Sequence, residues 1–163
     1  MYDDFEWTAM DKLVLLAGCD TPWRYYEQTA VQFDAPGSGG RVVPVTDHEN
    51  DDEAPPLGPL HVVSAVQPNG DPGSSDSAAR LELLDHQLFT QNVRAIRAVG
   101  SSLGGDHAEE CRAVFGLSDQ QARELGLRFG QVAVFAWNGP RWSLLSCATD
   151  RQTHRGWKWM AAD

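Results

Sequence analysis

The sequence is poor in cysteine, in lysine and in long apolar runs. Its three cysteines (Cys19, Cys111 and Cys147) form no Cys-x-x-Cys pair, which argues against a disulfide framework, a zinc ribbon and a redox motif. No apolar run approaches the ~20 residues of a membrane-spanning helix. Lysine occurs twice beside eleven arginines, a bias that is typical of GC-rich genomes and indicates a bacterial or phage origin.

Several catalytic motifs are also missing. The chain has no Gly-x-Ser-x-Gly nucleophile elbow and no His-Glu-x-x-His metal motif. Covalent catalysis therefore has no support in the sequence, we predict no metal site, and no cofactor can be named.

Acidic charge is concentrated at the front of the chain. The net charge is −10, from 23 acidic and 13 basic residues, and residues 1–60 carry most of the imbalance. A general nucleic-acid-binding role is disfavoured because phosphate contacts need a basic face. The segment Met1–Glu6 is negative, whereas a secretory signal begins with positive charge, so we expect a cytoplasmic protein without membrane attachment.

The 163 residues correspond to one domain of ordinary size. Apolar periodicity and turn residues predict a short helix, a strand pair, a buried strand, a helix, two strands, a second helix and a final hairpin. Their predicted bounds are helices at 10–18, 76–89 and from Ser118 to Gly130, and strands at 29–33, 41–45, 60–66, 93–99, 111–117, 132–137 and 142–148.

This order predicts a single α+β domain over residues 1–163. We expect a mostly antiparallel or mixed sheet with two main helices on one face and a short N-terminal helix. The acidic, proline-rich stretch 46–59 is predicted to be an exposed loop, and residues from 150 onward a tail that can be mobile.

The first candidate site is the loop 64–77, which leaves a buried strand and enters a helix N-terminus. Such N-termini favour anions, and the alternative is an ordinary capped loop. Gln131, at the junction of the second main helix and a strand, either points into a pocket or bonds to backbone. The predicted ligand-binding residues are Gln67, Ser74, Ser75, Arg80 and Gln131.

The second candidate is the run Asp106–Cys111. Its Asp, His, Glu and Cys side chains are all types that bind metals. No second histidine lies at ligand spacing, so a solvated acidic loop is the main alternative. A general acid or base at Glu109 or Glu110 is favoured over metal, and we assign the catalytic role to Glu110.

Two further features have structural alternatives. The segment Trp157-Lys158-Trp159, with Arg151, His154 and Arg155 nearby, could stack on bases or carbohydrate, but a tryptophan pair at spacing two more often marks a terminal strand. His61 lies within an apolar strand and is expected to be a core histidine with a hydrogen-bond partner.

Short motifs resemble the bacterial domain-of-unknown-function family 3293. They are Val62–Ala65 followed by Gln67-Pro68, a helix with Arg80, and Phe129-Gly130-Gln131-x-Ala133. Glu110 corresponds to an acidic position of the family, and the resemblance spans about residues 23–147.

The chain departs from this pattern at three positions. Ser64 replaces a threonine, Gln67 replaces the asparagine before Pro68, and Asp76 or Ser77 stands where the family has an asparagine. The resemblance implies no activity, but it suggests that Gln67, Arg80, Glu110 and Gln131 converge on one surface.

Two functions are compatible with these features. The first is a small domain that binds or hydrolyses an anionic ligand carrying a phosphate or carboxylate. The second is a non-catalytic acidic protein of a phage or mobile element that binds a basic protein partner. Its partner-binding residues would be Asp47, Glu49, Asp51, Asp52 and Glu53. The oligomeric state is left open.

Overall fold

The computed structural model describes residues 1–45 and 54–162. Within them, a short 3₁₀ helix at Tyr2–Asp4 precedes four α-helices and eight strands. The helices are α1 (Met10–Ala17), α2 (Asp20–Glu27), α3 (Ser75–Thr90) and α4 (Asp119–Arg128). The strands are β1 (Ala30–Phe33), β2 (Gly40–Val45), β3 (Leu60–Val63), β4 (Ala95–Ser101), β5 (Ala108–Val114), β6 (Ala133–Asn138), β7 (Arg141–Ser146) and β8 (Gln152–Ala161).

The strands form a closed antiparallel barrel in the order β1-β2-β8-β7-β6-β3-β5-β4. Closure depends on two long-range pairings. β1 pairs with β4 as well as with β2, so that Val31 lies opposite both Gly100 and Val42. β8 lies between β2 and β7, with Gly40 opposite Ala161. A closed barrel leaves no strand edge unpaired.

The predicted α+β sheet with helices on one face is therefore wrong. Seven of the eight strands were expected. Periodicity indicates which face of a strand is buried, but it does not indicate which strands pair, so it could not predict a closed barrel. The eighth strand lies in the segment predicted as a tail, and it contains Trp157 and Trp159, whose spacing favoured a terminal strand. Because β8 joins β2 to β7, it converts an open sheet into a barrel.

The barrel interior is a packed aromatic and aliphatic core. Trp137 lies at its centre, fully buried, with its ring 5.0 Å from that of Trp157 and 5.7 Å from that of Phe33. All eight strands contribute to this cluster, which consists of Val31, Phe33, Val42, Leu60, Val62, Ala98, Cys111, Ala113, Trp137, Trp142 and Trp157. Since side chains alternate along a strand, the residues between them face outward.

Helices α3 and α4 cover part of the outer face of the barrel. Leu81, Leu84 and Leu88 of α3 and Leu125 of α4 pack against outward residues such as Val63. Both helices begin at capping serines. Ser74 accepts a hydrogen bond from the Ser77 amide, and Ser118 forms a capping box with Gln121.

Helices α1 and α2 lie against β7 and the start of β6. Leu13, Ala17 and Trp23 form a small core with Val132 and Leu144. Trp23 is fully buried, and its indole nitrogen donates to Thr153 Oγ1 at 3.3 Å. This anchor fixes α2 close to the barrel. Among the helices of the described ranges, none has the length and apolarity needed to cross a membrane.

Candidate functional site

A cavity of about 500 Å³ lies between α2 and the barrel interior. Its volume is within the range of small-molecule sites, and most of its wall is apolar or aromatic. Helix α2 supplies Thr21, Pro22, Tyr25 and Tyr26, and the barrel supplies Val62, Gly100, Ser101, Glu109, Cys111, Ala133, Phe135 and Leu144. The connecting segments supply Thr29, Ser64, Val66, Gln67, Pro68, Asn69, Gly70, Ser102, His107, Gln131 and Val132.

Helix α2 presents its aromatic side chains to this cavity because Trp23 anchors the other side of the helix. Pro22, Tyr25, Tyr26 and Thr29 follow helical spacing and share the cavity face. The proline lies in the first turn, where a helix tolerates it. Helix α2 was not predicted from the sequence, although the helical spacing of these residues indicates a helix.

Glu109 is the carboxylate in the cavity. It lies on β5 opposite Gly100 of β4, on the same side of the strand as the buried Cys111. Burial raises the pKa of Glu109, while the nearby Ser64 and His107 act in the opposite direction. Among the described residues that line the cavity there is no arginine or lysine.

Two neighbours of Glu109 are held in their neutral forms. Burial, followed by the charge of Glu109, raises the pKa of the Tyr26 phenol. The same two causes raise the pKa of the Cys111 thiol to about 12. Tyr26 is therefore a hydrogen-bond donor, and Cys111 is an inert part of the wall.

Glu110, the predicted catalytic residue, lies on the opposite face of β5. Its carboxylate pairs with Arg97, and Arg97 also contacts Asp34 at 2.6 Å. Arg112 lies 3.9 Å from the same carboxylate. Glu110 does not line the cavity. The strand alternation that places Cys111 in the core also places Glu109 inward and Glu110 outward.

Gln131 lines the cavity and is buried. Its amide nitrogen donates to the Val66 carbonyl at 2.9 Å and to the Phe129 carbonyl at 3.1 Å. Both amide hydrogens are thus used on backbone, which leaves the amide oxygen as the group that a ligand could use. Gln131 thus combines the two alternatives given for it, because it bonds to backbone and also lines a pocket.

Gln67 also reaches the cavity wall, but its amide holds the surrounding backbone. Its nitrogen donates to Ala65 and Phe129 carbonyls at 2.9 and 2.8 Å. Its oxygen accepts from the amide and the hydroxyl of Thr8, each at 2.9 Å. Since Gln131 bonds to the same Phe129 carbonyl, the two glutamines join the N-terminal segment to the α4–β6 connection.

Arg80 lies away from the cavity, in contact with the N-terminal segment. Its guanidinium bonds to Asp76 at 2.7 Å and to the Glu6 carbonyl at 2.8 Å. It also stacks on the rings of Phe5 and Trp7, at 5.0 and 4.7 Å. These contacts account for its burial, and it is not a wall residue.

The two serines of the first candidate site also lie outside the cavity wall. Ser74 caps α3, and Ser75 is exposed in its first turn. The suggested convergence therefore holds for Gln67 and Gln131, whereas Arg80 and Glu110 each lie elsewhere.

The remaining candidates have structural partners or fall outside the structure. His61 is buried, and its Nε2 lies 2.7 Å from Asp119 Oδ1. In the part of the chain that the structure describes, no group of three or more His, Cys, Asp or Glu side chains could hold a metal ion. The predicted partner-binding residues Asp47, Glu49, Asp51, Asp52 and Glu53 lie outside the described residues.

Comparison with known proteins gives one finding. A family model described as "Protein of unknown function (DUF3293)" matches residues 63–134. No curated protein and no solved structure matches the chain. The matched region runs from the end of β3 to the start of β6 and contains Gln67, Arg80, Glu109, Glu110 and the Phe129-Gly130-Gln131 motif. The resemblance of this chain to family DUF3293 is thereby confirmed.

Proposed function

We propose that the protein binds a small organic molecule in the cavity between α2 and the barrel, with Glu109 as its polar anchor. The observation that carries the proposal is one carboxylate in an apolar and aromatic cavity of about 500 Å³. Buried polar groups in such a wall normally have partners, and those that line a cavity orient a ligand. Gln131 supplies a second polar group, and Tyr26 a third.

The proposal is tested with a neutral probe, 1-naphthalenemethanol, followed by calorimetric titration. Ala133→Phe places a ring into the cavity from β6 and is expected to weaken binding at least tenfold. Ala108→Phe is the matched control, because Ala108 is exposed on β5 and does not line the cavity. Thermal unfolding checks that both variants fold. Equal binding to all three proteins, or no binding to the wild type by this probe or by charged probes of similar shape, contradicts the proposal.

Hydrolysis is a second candidate, supported by the position and raised pKa of Glu109. A carboxylate of raised basicity can take a proton from water more readily, and general base catalysis contributes about 10²–10⁴-fold. Hydrolysis of p-nitrophenyl acetate would then fall about 100-fold or more in Glu109→Gln and stay unchanged in Glu110→Gln. Equal rates in the three proteins contradict a catalytic role for Glu109.

Three other sequence-based predictions remain untested. Binding of an anionic ligand, binding of a basic partner through residues 47–53 and a cytoplasmic location remain predictions. The cavity wall supplies no arginine or lysine for an anion, and His107 is its basic residue among those described.

A further inference from the structure

Three carboxylates beside the barrel each pair with an arginine, whereas Glu109 pairs with none among the described residues. Glu27, whose side chain is 14% exposed, pairs with Arg155 at 3.4 Å. Asp85 makes two bonds to Arg112, at 2.7 and 3.0 Å. Glu110 pairs with Arg97. Within residues 1–45 and 54–162, Glu109 has no such arginine or lysine, although it lies in the cavity.

A partly buried carboxylate without a cation is costly, because it loses water and gains little in return. The hydroxyl of Ser64 donates to the Glu110 backbone carbonyl at 3.2 Å, and Ser64 and His107 lie near enough to Glu109 to lower its pKa. Tyr26 on α2 and Cys111 on the same strand as Glu109 are neutral and carry no compensating charge. Burial raises the pKa of Glu109, and no arginine or lysine among the described residues that line the cavity offsets this effect.

The walls around Glu109 suit a positively charged ligand with an apolar body. Tyr25 and Tyr26 from α2 and Phe135 from β6 line the cavity. The faces of such rings attract ammonium groups as well as apolar groups. The net charge of −10 also favours the approach of cations over anions.

Building on the proposed function, we propose that the ligand of this cavity is an organic amine. Its ammonium group pairs with Glu109, and its apolar body lies against Tyr25, Tyr26 and Phe135. The fixed cation that the protein lacks at this carboxylate is then supplied by the ligand.

Three probes of similar shape and different charge test this assignment on the wild-type protein. They are 1-naphthylmethylamine, 1-naphthalenemethanol and 1-naphthoate, titrated at neutral pH and low salt. We expect the amine to bind about tenfold or more tighter than the alcohol, as for a hydrogen bond to a charged group, and the naphthoate to bind weakest. Equal affinities for the amine and the alcohol, or tighter binding of the naphthoate, would overturn the assignment.

Variants connect the preference to one residue. Glu109→Gln is expected to abolish the amine-to-alcohol affinity ratio, and Glu110→Gln, on the other face of β5, to retain it. A ratio that persists in Glu109→Gln would also overturn the assignment. If instead the alcohol binds without an amine preference, and Ala133→Phe removes that binding, the cavity is a binding site and only the ligand class is wrong. If none of the three probes binds, the proposed function itself has failed.

Discussion

The side-chain amide of Gln67 lies directly against Gly130. A Cβ atom added at position 130 would lie 2.9 Å from Gln67 Cδ and 3.0 Å from Nε2. Gly130 also has a φ of +68°, in the left-handed region that favours glycine. The glycine of the Phe-Gly-Gln motif is thus required twice, once for its backbone conformation and once for the space that Gln67 occupies.

Gly130→Ala should therefore destabilise the protein more than the backbone alone explains. We expect a loss of about 3 kcal/mol, of which about 1 kcal/mol is the left-handed conformation and the rest the contact with Gln67. Gly116→Ala is the control, since Gly116 has a φ of +84° and open space around it. Urea unfolding measures both. Equal losses, or no coupling between positions 67 and 130 in a double-mutant cycle with Gln67→Ala, would contradict this account.

Arg80→Ala should lower stability without weakening probe binding in the cavity. The variant loses two hydrogen bonds and the stacking on Phe5 and Trp7, so we expect a loss of about 3 kcal/mol. Arg94→Ala, which removes an exposed arginine over Phe115, should cost less than about 1 kcal/mol. Trp7 lies beside Arg80, so tryptophan fluorescence can follow release of the N-terminal segment. A stable variant that no longer binds 1-naphthalenemethanol would show that Arg80 belongs to the binding site.

The stability contributed by Glu109 should fall as the pH rises. Its pKa in the folded protein is raised by burial, so the unfolded chain releases this proton first. The contribution is full below the ordinary glutamate pKa of about 4.3 and is lost as the pH passes through the raised value. Glu109→Gln cannot titrate, so it should gain stability relative to wild type between pH 4 and pH 8. Urea unfolding across this range measures the difference, and a constant difference or one of opposite sign would exclude the effect.

Alkylation should distinguish the three cysteines. The thiolate is the reactive form, and burial raises the pKa of both Cys111 and Cys147 to about 12. At pH 8 only about 10⁻⁴ of each would be thiolate. Cys19 is exposed. Mass spectrometry of iodoacetamide-treated native protein should therefore find modification at Cys19, and at all three positions in urea. Rapid labelling of Cys111 in the native protein would show that the cavity opens to solvent more than the structure indicates.

Local signals in the sequence predicted local structure well. The predicted helices at 76–89 and from Ser118 and the predicted final hairpin are set by a leucine stripe, a cap and an Asn138-Gly139 turn, each of which depends on residues within a few positions of one another. Barrel closure depends on β1 with β4 and on β2 with β8, pairings between residues that are far apart in the chain. Strand periodicity carries no information about such partners.

The sequence offered both Glu109 and Glu110 as acid or base, and of the two only Glu109 lines the cavity. Glu109 and Glu110 are equivalent in composition, and the choice between them depends on which face of β5 turns inward. Cys111 and Ala113 are buried, and residues at spacing two share a face of a strand, so Glu109 lies on the inward face with them. Helix α2 was not predicted, although a proline in the first turn, here Pro22, is compatible with a helix.

The position of β8 in the barrel has a consequence for folding. It is the last strand in chain order, yet it lies between β2, near the start, and β7. During synthesis the first seven strands therefore emerge before the strand that completes their interior. Until then Trp137, Trp142 and Phe33 lack Trp157 as a neighbour, and β2 and β7 keep free edges. Such long-range closure is slow, so the chain is expected to be prone to aggregation until β8 emerges.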